Sequence, residues 1–101
     1  MLIEVLNFDD SPNYERTLAE VGRLVDELEV DAEVRTVHVV DAEDAERRRF
    51  LGSPTVRVDG IDVEPGADER TEYVLACRVY RTAEGYAGEP DERWLRAALS
   101  P

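Results

Sequence analysis

With 101 residues, 43% of them apolar, the chain can bury one compact core and not two, so a single domain over residues 1–101 is expected. Its formal net charge of −12 argues against nucleic acid or an anionic membrane as partner, because both select a positive surface. No cationic stretch leads into an apolar run as a signal peptide does, and no apolar stretch is long enough to span a membrane, which makes the cytoplasm the expected location.

Residues 2–8 (LIEVLNF) predict a buried first strand, ended by Asp9 and Asp10. Ser11 followed by Pro12 predicts a helix start, with a hydroxyl as N-cap and a proline at the first helical position, where its missing N–H has no partner to lose. Tyr14, Leu18, Val21, Val25 and Leu28 recur at helical spacing and carry that helix to about residue 29. Residues 33–40 (EVRTVHVV) alternate and are β-branched, predicting a second strand. Residues 41–52 (DAEDAERRRFLG) predict a short helix, with acids in its first turn, arginines in its last and Gly52 as its stop.

Beyond Ser53-Pro54, TVRV predicts a short strand, Asp59-Gly60 a hairpin turn and IDV the returning strand. Residues 64–71 predict a loop and residues 73–81 (YVLACRVYR) another strand, followed by a glycine-containing loop. The closing EPDERWLRAALS predicts a helix with Trp94, Leu95, Ala98 and Leu99 towards one side. Two successive βα units imply a parallel pair with right-handed crossovers. The hairpin strands must be antiparallel, so the expected class is α/β, a mixed sheet with helices on its faces.

A strand turning into a long helix, and later GSPTV ahead of a hairpin, resembles the thioredoxin-like fold. In that family the active cysteine sits at the N-terminus of the first long helix and a cis-proline faces it. The resemblance implies that Pro54, preceded by Ser53, is that proline. The likeness is closer to short bacterial thioredoxin-like proteins with Cys-Pro-Asn-Tyr or Cys-Pro-Asn-Trp after the first strand. Some of these carry selenocysteine at the motif cysteine, and some sit among alkylmercury lyase-like sequences. FLGSPTVRVDGIDVEPGA and CRVYRTAEG extend the likeness over nearly the whole chain. The departure is Ser11, which stands where the family pattern has cysteine. A hydroxyl cannot exchange a disulfide, so dithiol redox activity does not carry over.

Ser11 reads most simply as a helix cap worth about 1 kcal/mol; its functional reading is a vestigial thiol position. Helix N–H groups would favour a thiolate there, whereas Asp9 and Asp10 would disfavour it. As a nucleophile Ser11 has only His38, on the second strand, as a distant candidate base. Asp9, Asp10 and Asn13 offer oxygens to a hard cation, although the pair also reads as a strand end and helix-start charge, and no metal site is expected. The acidic pair also resembles the start of a receiver domain. Against that reading, all twelve basic residues are Arg, so the lysine such a domain needs is missing, and a hairpin follows Asp59.

Cys77 is the only cysteine, which excludes an intramolecular disulfide and a cysteine zinc cluster. Strand alternation places it with Leu75 and Val79 on an expected core face; the alternative is a reactive thiol near Ser11 and Pro54. His38, the only histidine, reads as a satisfied sheet residue. Arg47, Arg48 and Arg49 read as complements to a helix C-terminus, or as an anion-binding edge beside Ser53-Pro54. Trp94 and Tyr86 are expected to pack the last helix on the sheet. The leading functional expectation is a non-redox binding module, without cofactor. Its groove is formed by Asp10, Ser11, Pro12, Asn13, Ser53 and Pro54, where an extended protein or peptide partner pairs with backbone groups beside the proline. The alternative is a thiol or selenol oxidoreductase whose reactive residue is replaced at position 11 or has moved to Cys77.

Overall fold

Leu2–Asn7 forms strand β1, the spine of the molecule, in a computed structural model that describes residues 1–8 and 12–100. β1 runs parallel to β2 (Glu33–His38) and antiparallel to β3 (Thr55–Val58), and β3 turns at Asp59-Gly60 into β4 (Ile61–Asp62). The sheet order is β2-β1-β3-β4. Helices α1 (Pro12–Glu27), α2 (Ala42–Arg47) and α3 (Glu92–Leu99) complete an α/β domain. The expected Ser11 cap lies outside the described residues.

Side-chain alternation along β1 divides the core into two. Ile3 and Val5 face α1 and α3, where Tyr14, Val21, Leu24, Val56, Val58, Leu95 and Leu99 join them. Leu6 faces the other way, into a smaller cluster with Val39, Ala45 and Phe50 under α2. Each such aliphatic side chain contributes roughly 1.5–3 kcal/mol of transfer free energy when fully buried. The buried stripe of α1 is Tyr14, Thr17, Val21 and Leu24, with the expected Leu18, Val25 and Leu28 flanking it as half-buried residues.

The second face also carries a row of charge. Arg35, Glu4, Arg57 and Asp62 are successive cross-strand partners on β2, β1, β3 and β4, alternating in sign as sheet pairs favour.

Four local expectations are corrected. Gly52 does not stop α2. Arg49 does, in the left-handed region at φ +55, with the Phe50 N–H donating to the Ala45 carbonyl at 2.8 Å. Residues 73–79 are not a strand of the sheet: the segment bends at Leu75 and Ala76 and touches regular pairing only through a parallel bridge between Ser53 and Cys77. The following glycine loop is instead a hairpin, β5 (Tyr80–Thr82) with β6 (Gly85–Ala87). A single 3₁₀ turn, Ala67–Glu69, interrupts the expected loop before it. Among the described residues no helix is long and apolar enough to cross a membrane.

Candidate functional site

The register of β1 with β3 decides which residues meet. Leu6 lies opposite Thr55, so Ser53-Pro54 enters β3 at the sheet end where β1 finishes and α1 begins. Pro12 is exposed and Asn13 half-buried in the first turn of α1. Asp9, Asp10 and Ser11 lie outside the described residues. The Ser53–Pro54 peptide bond is cis.

On the Pro54 side the expected groove is already filled; Asp10 and Ser11, which would form its other side, lie outside the described residues. Ser53 and Pro54 are both buried, and the Ser53 backbone is already paired. Its N–H donates to the Ala76 carbonyl at 2.8 Å and its carbonyl accepts from the Arg78 N–H at 2.9 Å. The reason is general: buried backbone groups need partners, and the segment 76–78 supplies them.

That segment is held by a residue the sequence reading passed over. Arg78 is 2% exposed. Its Nη1 donates to Thr55 Oγ1 at 3.0 Å and Asp62 Oδ2 at 2.7 Å, and its Nη2 to Asp62 Oδ1 at 3.2 Å and Glu64 Oε1 at 2.7 Å. Burial works against this charge, but Tyr80, Asp62 and Glu64 outweigh it and raise the guanidinium above its ordinary range. The guanidinium stacks 4.4 Å over the Tyr80 ring. Tyr80 donates its hydroxyl to the Pro54 carbonyl, and burial drives the phenol far above its ordinary pKa. Two acids two residues apart, Asp62 and Glu64, were the available sign that a cation would be drawn beneath the hairpin.

With Arg78 and Tyr80 on the inner face, Cys77 and Val79 turn outward. The expected core position of Cys77 is therefore corrected: its thiol is exposed, Val79 is 61% exposed, and only Leu75 keeps partial contact with the α2-side core. The backbone groups of Leu75, Cys77 and Val79 make no hydrogen bond with the described residues.

The remaining candidates divide. Asn13 Oδ1 accepts from the Arg16 guanidinium, which opposes a cation at that oxygen. Among the described residues no cluster of His, Cys, Asp and Glu could hold a metal ion. His38 is exposed at the end of β2, beside Asn7. Arg47 and Arg48 reach back to Asp44 within α2. The Val40 N–H and these arginines hold that carboxyl below the usual range. Trp94 packs against Tyr80, ring centroids 6.0 Å apart. Tyr86, expected to join it, is 77% exposed, because β6 pairs only with β5 and nothing covers its outer face.

Two concavities flank this region. One, of about 460 Å³, lies between α1 and α3. Its arginines are committed, Arg16 to Glu89 and Arg23 to Glu20, Glu27 and Glu92. The other, of about 470 Å³, lies under the β3–β4 hairpin. Comparison with family models, curated proteins and solved structures finds no match to this chain.

Proposed function

We propose that this chain is a thioredoxin-like domain that works as a non-redox binding module for an extended peptide, with residues 75–79 as its pairing edge. The thioredoxin-like reading is supported by the passage of β1 into α1 and by the Gly52–Pro54 turn feeding an antiparallel hairpin at the same sheet end. The non-redox part follows from residue types: position 11 is serine, and a chain with one cysteine has no dithiol couple of its own.

One observation carries the binding reading. Ser53 has both backbone groups taken by residues 76–78, whereas the backbone groups of Leu75, Cys77 and Val79 make no hydrogen bond with the described residues. The free edge has moved one segment outward, from Ser53 to Cys77. An incoming peptide gains main-chain hydrogen bonds there and apolar contact with the exposed Val79. Selection from a displayed random-peptide library, followed by amide-shift mapping of the winning peptide, tests this. Shifts confined to residues 74–80, lost in Cys77→Pro, which removes the central N–H, support it. Peptides that map elsewhere, or a Cys77→Pro variant that binds normally, reject it.

The exposure of Cys77 favours one second reading, that its thiolate attacks a partner disulfide and stays joined to one half while the other leaves as a thiol. Incubation with glutathione disulfide and mass measurement separates the two. A mixed disulfide formed no faster than on an unfolded control peptide leaves the binding reading alone.

A further inference from the structure

We propose a second, independent site: the cleft under the β3–β4 hairpin binds a small organic carboxylate with an apolar body. The carboxylate is received by Arg57 and Arg49, and the body lies against Leu51, Ile61 and Tyr73.

The argument begins with Arg57. Its side chain is half-buried among Arg48, Arg49 and the hairpin, and burial lowers its pKa from the ordinary value. Nη2 is spent on the Arg48 and Arg49 carbonyls at 2.6 and 3.0 Å, and the guanidinium makes no ion pair with the described residues. Its cross-strand neighbour Asp62 is unavailable, because both Asp62 oxygens are bound to Arg78. Glu4, its other cross-strand partner, favours the charge without forming an ion pair with it; a half-buried cation in contact with no carboxylate is an energetic liability that an anion relieves.

The other charges along the cleft sharpen this. Glu64 is held by Arg78 and Arg70, and Arg48 by Asp44. Arg49 makes no side-chain hydrogen bond or ion pair with the described residues, and its left-handed backbone ends α2 at the rim. Asp68 is the one acid lining the cleft without an ion-pair partner among the described residues. Among the described residues, two arginines without an ion pair therefore line the cleft with one unpaired carboxylate, in a chain of net charge −12. The α1–α3 concavity offers no such surplus, since both its arginines are paired.

The walls select the rest of the ligand. Ile61 is 72% exposed at the hairpin tip, Leu51 forms an apolar floor and Tyr73 an aromatic side. A volume of about 470 Å³ suits a molecule larger than a bare inorganic anion. Arg57 presents Nη1 and Nε, and Arg49 a second guanidinium, so the two oxygens of one carboxylate can be shared between two donors.

The test is an amide-shift titration of the intact chain with phenylacetate, its neutral counterpart phenylacetamide, and inorganic phosphate. The expected result is saturable shifts with phenylacetate at residues 48–51, 57–61 and 73, with phenylacetamide at least about tenfold weaker. Arg57→Gln should lose about tenfold or more in affinity. Because that change also removes donors to two carbonyls, Arg49→Gln and Ile61→Ser are the companion variants; both side chains are exposed and make no hydrogen bond or ion pair with the described residues, and each should weaken binding severalfold. No saturable shift with phenylacetate overturns the proposal. So does equal binding of phenylacetamide, phosphate binding the same residues where phenylacetate does not, or unchanged affinity in both companion variants.

Discussion

Gly52 and Arg78 are in contact at a distance that leaves no room for a side chain. A Cβ on Gly52 would stand 2.9 Å from the Arg78 Cβ and 3.0 Å from the Ala76 carbonyl oxygen, and the Gly52 φ of +123 already lies where L-residues strain. Both costs fall on Gly52→Ala, which should destabilise the fold by at least about 2 kcal/mol. Urea denaturation measures it. A loss well below that would mean that residues 76–78 can move away from Ser53 at little expense, and the Ser53 edge would then be open rather than closed.

The same contact depends on the charge network beneath it. Arg78→Met strands the Asp62 carboxylate, whose side chain is 12% exposed, and removes one of two cations from Glu64. Breaking such a pair from one side costs about 3–5 kcal/mol. Adding Asp62→Asn to Arg78→Met should recover part of that loss, because the amide no longer carries an unpaired charge. A double variant no more stable than the single one would assign the loss to Arg78 packing on Tyr80 and not to the ion pair.

Much of this architecture is legible in the residues, and the exceptions share one cause. α1, the parallel strand β2, the Asp59-Gly60 hairpin and α3 each carry their own signal, a period bounded by a cap or a turn. YVLACRVYR alternates as well, but alternation does not say which face is inward. Asp62 and Glu64 draw Arg78 beneath the hairpin, and Cys77 and Val79 are turned out in consequence. Gly52 looked like a helix stop because glycine commonly is one; its actual constraint is a neighbour 26 residues away in sequence, Arg78. At the site, Ser53-Pro54 was visible through family resemblance. The lack of an ion pair for Arg57 among the described residues was not, since it follows from Asp62 having been taken by a residue on a different segment.

Glu29 is a position where a local rule is broken at the surface. It sits at φ +52 directly after α1, with the Val30 N–H donating to the Val25 carbonyl at 3.1 Å and the Glu29 N–H to the Asp26 carbonyl at 3.3 Å. Glycine is the usual residue at this point of such a terminus, and a carboxylate there also opposes the helix dipole. The left-handed conformation costs an L-residue about 1–2 kcal/mol, and glycine returns about 0.5–1 of that as lost chain entropy. Glu29→Gly should therefore raise stability by roughly 0.5–1 kcal/mol, visible as a higher denaturation midpoint at unchanged slope.

Asp91 gives the clearest pH dependence. It caps α3, accepting from the Arg93 backbone N–H at 2.9 Å and from the Arg93 guanidinium at 2.9 Å. Those hydrogen bonds, the side-chain one first, hold its carboxyl down to about 2 from an ordinary 3.8. With the folded pKa below the unfolded one, the unfolded chain takes up the proton first as the solution is acidified. The stability that Asp91 contributes is then complete above pH about 4 and is lost as pH falls through that value towards 2. Asp91→Ala should cost about 1 kcal/mol near neutrality, as loss of a helix cap does, and the gap between wild type and variant should close on acidification across that window. A gap that stays constant down to pH about 2 would show that the protonated acid caps α3 as well as the carboxylate does, and that the Arg93 contact adds nothing through charge.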